Sequence, residues 1–164
     1  HNFISSDQPL QDNPLIQSNS ENKPDVFSIF NRAFGYSDES QTAVSLFEFK
    51  RPGKEIRGED RKLDQQIETY VGDLISSRAK DFRGRRTEID KDTPKMAYII
   101  CDYDKDLANY LKTMRDFEPL PKGGFFKYRD GLKMMIYIMN YKQLLKDAEE
   151  RHKIFFKKLG ISDI

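Results

Sequence analysis

From Pro24 onward, short runs of β-branched and aromatic residues alternate with longer segments of helical period. Asp25-Val26-Phe27-Ser28-Ile29-Phe30 predicts a strand with Asp25 at its start, and Thr42 to Lys50 predicts a second. Large apolar and charged residues alternate from Phe47 until Pro52-Gly53 stops the pattern. The polar stretch Gly35 to Gln41 folds the two strands into an antiparallel hairpin. A charged connector, Lys54 to Arg61, leads into a helix over Lys62–Arg78 whose stripe is Leu63, Ile67, Val71, Leu74 and Ile75. Residues 78–95 read as a polar, basic loop. The nearly unbroken apolar run Met96 to Cys101 predicts a strand buried on both faces.

A helix over Asp102–Met114 follows, with Leu107, Tyr110 and Leu111 inward. Phe125–Tyr128 and Met134–Met139 predict two strands joined at Arg129-Asp130-Gly131. Lys142 to Leu159 predicts a closing helix with Leu144, Leu145, Ala148, Ile154, Phe155 and Leu159 on its apolar face and Gly160 as its cap. The sum is an α/β fold, a mixed central β-sheet flanked by helices, over residues 24–164. Residues 1–23 are a polar lead-in with few apolar anchors. The abrupt opening His1-Asn2-Phe3-Ile4 reads either as a plain cut in a longer chain or as the tail of a truncated helix, with further chain expected upstream.

Composition narrows the function classes. The 164 residues suffice for one domain with a real core. No run approaches a membrane span and no signal-peptide pattern opens the chain. One cysteine, Cys101, excludes an internal disulfide and agrees with a reducing, cytoplasmic setting. Two distant histidines, His1 and His152, argue against a His-rich zinc site. A net charge of +1 means that any nucleic acid has to be held by a local patch.

Side chains two apart on a strand share a face, so Glu48 and Lys50 point one way and Phe47 and Phe49 the other. The hairpin brings Asp25 beside Glu48. Two carboxylates so placed make an oxygen-rich site suited to Mg2+ or Mn2+. Such an ion polarises a phosphodiester and acidifies a bound water. Lys50 is then placed to stabilise developing negative charge or to orient and deprotonate that water. Gln66 and Tyr70, four apart, stack on one side of the first helix.

The plainer alternatives are a turn or strand-start acid at Asp25 pairing with a nearby amide, a salt bridge of little energetic value between Glu48 and Lys50, and the shoulder of an amphipathic helix at Gln66 and Tyr70. Two basic clusters flank these residues: Arg51, Lys54, Arg57, Arg61 and Lys62, then Arg78 to Arg86 with Arg83 and Arg85. Arg51, Lys54, Arg83, Arg85 and Arg86 are candidate phosphate contacts, although Glu59, Asp60, Asp64, Asp81 and Glu88 dilute the charge. No residue announces base-specific readout. Cys101 is expected to be a buried thiol and His152 to be exposed. Gly123-Gly124 reads as a turn, since the Lys-Ser/Thr pair of a phosphate loop is missing.

Pro24-Asp25, Glu48-Phe49-Lys50 and Gln66-Ile67-Glu68-Thr69-Tyr70, in that order, resemble the PD-(D/E)XK nuclease superfamily, and the last segment resembles the Gln-x-x-x-Tyr helix of its RecB-like branch. The order of elements from Asp25 to Cys101 is similar to the second half of that superfamily's core. More narrowly, Phe47 to Pro52, Tyr98 to Asp102 and Tyr141 to Gly160 resemble a bacterial nuclease-like domain often attached to a GHKL-type ATPase. The resemblance implies a restriction-endonuclease-like core, Asp25 and Glu48 as metal ligands, Lys50 as the catalytic lysine, and supporting roles for Gln66 and Tyr70. It also implies DNA, with RNA second, as substrate, an upstream domain of the same protein, and a setting in phage defence or repair. The superfamily core ordinarily opens with a helix that often carries a further acid, and none is predicted before Asp25. Three functions therefore compete: a metal-dependent nuclease, which as a homodimer would cut two strands; a nuclease-fold module that binds without cutting; and an oligomerisation domain pairing through an exposed edge at 125–139.

Overall fold

The computed structural model describes residues 2–6, 9–12, 16–17, 21, 24–33, 40–76, 78–80, 86–87 and 89–158. In chain order its elements are β1 (Asn2–Ser6), β2 (Ile16–Gln17), β3 (Val26–Ala33), β4 (Ser40–Phe49), α1 (Leu63–Ser76), β5 (Arg78–Lys80), β6 (Arg86–Thr87), β7 (Lys95–Ile100), α2 (Lys105–Arg115), β8 (Glu118–Pro119), β9 (Phe125–Arg129), β10 (Met134–Met139) and α3 (Tyr141–Lys158). Short 3-10 turns lie at Leu10–Asp12, Gly58–Arg61 and Asp130–Leu132.

Three mutually parallel strands, β4, β7 and β10, form the spine of a mixed sheet. Antiparallel β3 and β9 flank them, giving five principal strands, and the short β1 and β8 extend the order to β1-β3-β4-β7-β10-β9-β8. The β3–β4 hairpin, the central β7, the β9–β10 pair and all three helices agree with the sequence reading to within a few residues. The turn expected over Gly35 to Gln41 lies largely outside the described residues, as do Leu159 and the Gly160 cap.

Several expectations need correcting. The lead-in is not irregular throughout, and its opening is extended rather than helical: β1 pairs antiparallel with β3, and Leu10 is fully buried. An edge strand is held by ladder hydrogen bonds, so a polar segment can adopt it with few apolar anchors. The basic loop at 78–95 contains β5 and β6, which join β2 in a small three-stranded sheet. The 125–139 pair offers no long free edge, because β10 sits between β7 and β9 and β8 covers the start of β9.

The core lies on one face of the sheet. Val44, Leu46, Ala97, Ile99, Met134, Ile136 and Ile138 pack there against Leu63, Ile67, Val71 and Leu74 of α1 and Leu107 and Leu111 of α2. Burying each of these side chains larger than alanine contributes about 1.5–3 kcal/mol. Asp104 caps α2 by accepting the Leu107 N–H at 2.8 Å. The opposite face is less covered than the apolar run Met96–Cys101 predicted: Met96 is 50% exposed, and Phe47, Tyr98 and Tyr137 form a stacked cross-strand row with centroids 5.0 and 5.4 Å apart. Of the apolar face expected for helix α3, Leu145 and Ile154 are exposed, while Leu144 and Ala148 are half-buried.

Charge fixes how α1 seats on the sheet. Asp64, in its first turn, is fully buried and accepts Arg115 Nε at 3.0 Å, Arg115 Nη2 at 2.7 Å and Lys127 Nζ at 3.1 Å. One turn later, Glu68 pairs with Arg129 at 2.6 Å. Together these contacts tie α1 to the end of α2 and to β9. Buried Lys95 likewise donates to the carbonyls of Asp90, Thr93 and Leu132 at 2.6, 2.7 and 3.0 Å, stitching the loop before β7 to the turn before β10.

Candidate active site

The antiparallel register of β3 and β4 pairs Val26 with Phe47, so the next rung sets Asp25 across from Glu48. Asp25 Oδ2 accepts the Phe49 N–H at 2.6 Å, which holds its carboxylate at the end of the neighbouring strand. Glu48 faces the helical side and is 6% exposed. Lys50 follows the end of β4 and stays in the sheet because its N–H donates to the Ile100 carbonyl at 2.8 Å. Its Nζ lies 3.0 Å from Glu48 Oε1, as the shared-face argument expected.

Helix α1 closes the arrangement. Gln66 Oε1 accepts from Lys50 Nζ at 2.5 Å, while its Nε2 donates to Glu48 Oε1 at 2.7 Å and to Tyr70 Oη at 2.7 Å. This amide orientation sets an acceptor against the ammonium and donors against the carboxylate, and the flipped orientation would reverse both. Asp25, Glu48, Lys50, Gln66 and Tyr70, spread over 46 positions of sequence, thus meet at one end of the sheet. That end is the carboxyl end of the parallel strands, where open α/β sheets place their ligands.

Burial raises the Glu48 carboxyl above its ordinary value, against the lowering effect of Lys50 and with a further push from the Asp25 charge. One oxygen, Oε2, is buried and accepts no hydrogen bond. Burial also raises the Tyr70 phenol, and Glu48 and Asp25 add to that, so Tyr70 is neutral at physiological pH. Among the described residues no group of three or more His, Cys, Asp and Glu side chains is placed to share a metal ion; the carboxylates here are the pair Asp25 and Glu48.

The flanking basic residues fare differently. Arg51 is exposed next to Lys50, and exposed Lys54 pairs with Asp60 at 2.8 Å. Arg57 pairs with Glu55 at 2.8 Å and Lys62 with Glu59 at 2.7 Å, so much of the charge after β4 is answered within its own loop. Arg61 stacks over the Tyr110 ring at 4.2 Å. Arg83 and Arg85 lie outside the described residues, and Arg86 opens β6 with its side chain likewise outside them. A cleft of about 280 Å3 beyond the ends of β4 and β7 is lined by Lys54 but also by Glu55, Asp102 and Asp104, which makes it a poor seat for phosphate.

Cys101 is fully buried, its thiol pushed up to about 12 by desolvation, and His152 is exposed. Gly123 and Gly124 form a turn at φ +99° and +87°. A residue given no role at the site by the sequence touches it: Tyr141, at the start of α3, donates its hydroxyl to the Lys50 carbonyl at 2.6 Å. A lone aromatic between a strand and a helix carries no local signal of such a contact. No described helix is long and apolar enough to cross a membrane. Comparison of the chain with protein-family models, curated proteins and solved structures gives no match.

Proposed function

We propose that this chain is a divalent-metal-dependent nuclease with a restriction-endonuclease-like core, hydrolysing phosphodiester bonds of DNA in preference to RNA. The observation that carries the reading is the network in which Glu48, Lys50, Gln66 and Tyr70 are hydrogen-bonded at a strand end, with Asp25 tethered across from Glu48. A surface ion pair needs none of these partners. Asp25 and Glu48 would hold the ion, Mg2+ or Mn2+, and the donor set fits a hard cation: two carboxylates, one with a buried oxygen that accepts nothing. When bound, the ion supplies Lewis acidity toward the phosphodiester and an acidified water.

The chain's own residues do the rest. Lys50 presents its ammonium to the charge that grows on phosphate in the transition state. Gln66 fixes that ammonium and Glu48 relative to each other through opposite ends of one amide, and the neutral Tyr70 hydroxyl braces the amide. In this reading the domain is the cytoplasmic effector part of a larger bacterial protein, serving defence or repair. Among the described residues before Asp25 there are two strands and a 3-10 turn but no α-helix, so a further acid of the kind that superfamily's first helix carries has no counterpart there.

A second reading, the same fold docking a partner or a second copy without cutting, draws on the uncovered sheet face at Phe49, Met96 and Tyr128, which are 41%, 50% and 51% exposed. Plasmid and single-stranded DNA incubated with Mg2+ or Mn2+ separate the two. Cleavage by the natural sequence that is lost in Asp25→Ala and Lys50→Ala supports the nuclease. Equal cleavage by all three proteins, or by none, rejects it.

A further inference from the structure

The three parallel strands end level with one another, and the ladder runs one residue past β4 and β7. Lys50 N–H donates to Ile100 O at 2.8 Å and Cys101 N–H donates to Met139 O at 3.0 Å. The chain then turns at once into α3, because the Asn140 side chain accepts the Gln143 N–H at 2.7 Å and its carbonyl accepts the Leu144 N–H at 3.0 Å. This cap sets Tyr141 in the first turn, over the end of β4. Its hydroxyl donates to Lys50 O at 2.6 Å, a contact spanning 91 positions. The peptide groups on both sides of the Lys50 Cα are therefore held, one by β7 and one by α3.

A lysine head sits at the end of four flexible methylenes, and its position is set by the backbone that carries it and the partners that receive it. Here the partners are Glu48 Oε1 at 3.0 Å and Gln66 Oε1 at 2.5 Å. Catalytic groups need positioning to within about half an ångström, so the backbone clamp matters as much as the partners. Along α3, Leu145 and Ile154 are 63% and 58% exposed, while Leu144 and Ala148 are half-buried.

We propose that Tyr141 is a positioning residue for Lys50, holding the Lys50 carbonyl so that the ammonium stays seated between Glu48 and Gln66. The inference deepens the nuclease reading and rests on it for its catalytic meaning, while its geometric content is testable without catalysis.

The test compares the full chain with Tyr141→Phe, which keeps the ring and removes the hydrogen bond, and with Leu145→Ala as a control on the same helix. The first readout is the acylation rate of Lys50 by an N-hydroxysuccinimide ester at one fixed pH, resolved by mass spectrometry, with exposed Lys54 as the internal reference. Tyr141→Phe should raise the Lys50 rate relative to Lys54 several-fold by unseating the amine from its partners, and Leu145→Ala should leave it unchanged. The second readout is plasmid nicking with Mn2+, where Tyr141→Phe should lower kcat roughly tenfold with KM nearly unchanged, as a small misplacement of a catalytic group does.

A Lys50 labelling rate in Tyr141→Phe equal to that of the natural protein overturns the proposal, whatever happens to nicking. If the natural protein does not nick DNA but Tyr141→Phe still unmasks Lys50, the positioning stands and the nuclease reading falls. Should Tyr141→Phe fail to fold, Asn140→Ala, which loosens the helix start and keeps the phenol, must shift Lys50 labelling in the same direction, and no shift overturns the proposal.

Discussion

Asp64 decides how firmly α1, and with it Gln66 and Tyr70, is held over the sheet. Replacing it with alanine leaves Arg115 and Lys127 without their shared carboxylate, at side-chain exposures of only 18% and 11%. Three charge-assisted hydrogen bonds disappear, each worth about 1.5–3 kcal/mol, which sets the ceiling. Both cations keep some access to water and Lys127 keeps the Arg115 carbonyl at 2.6 Å, so the loss settles near the range for breaking a buried ion pair, about 3–5 kcal/mol. With a urea slope of about 2 kcal/mol per molar, the unfolding midpoint should fall by roughly 1.5–2.5 M. The triple variant Asp64→Leu, Arg115→Met, Lys127→Met should recover most of the loss, because it removes the stranded charges along with their partner. A midpoint shift for Asp64→Ala worth under about 1 kcal/mol would mean that the buried pairs do not hold α1 in place. So would a triple variant no more stable than the single one.

Other expectations follow from the same contacts. Because the folded state holds the Glu48 proton more tightly than the unfolded chain does, this group's stability contribution is full below the ordinary value of 4.5 and is lost as pH rises through the raised folded value. The stability of the natural protein minus that of Glu48→Gln should therefore decline with pH across that window, at no more than about 1.4 kcal/mol per pH unit, and a difference that climbs with pH would contradict the assignment. Gly124→Ala puts a Cβ 2.5 Å from the Ile138 carbonyl oxygen at φ +87°, so calorimetry should show a loss of at least about 2 kcal/mol; an unchanged melting temperature would mean that the turn is free to move. Cys101, with its thiol pushed up to about 12, is ionised to about one part in ten thousand at pH 8. It should resist iodoacetamide in native buffer and react fully in urea, and fast native labelling would place it at the surface.

How much was legible in the sequence depended on whether the information was local. The alternation Phe47 to Lys50 and the four-residue spacing of Gln66 and Tyr70 fix faces through geometry confined to one element. Asp25 became legible through the hairpin, where antiparallel register converts sequence order into proximity. The lead-in strand was hidden because its support is the β3 backbone, which no side-chain pattern reports. Asp64 looked like a diluting charge in a basic stretch, yet its partners Arg115 and Lys127 stand 51 and 63 positions away. The contact from Tyr141 to Lys50 was hidden for the same reason. The acids written between the arginines and lysines of residues 54–62 proved to be their partners, a reminder that a basic run predicts a phosphate track only when its neighbours leave it free.

The central claim is that Asp25 and Glu48 form a cation site and that Lys50 serves the chemistry beside it. Its most direct test is Mn2+ titration, followed by electron paramagnetic resonance, of the natural chain and of Asp25→Ala, Glu48→Ala and Lys50→Ala, with plasmid cleavage measured on the same samples. The natural chain and Lys50→Ala should bind Mn2+ comparably, both carboxylate variants should bind it more weakly, and only the natural chain should cut. Equal Mn2+ binding by all four proteins, or cleavage that survives in Lys50→Ala, would contradict the claim.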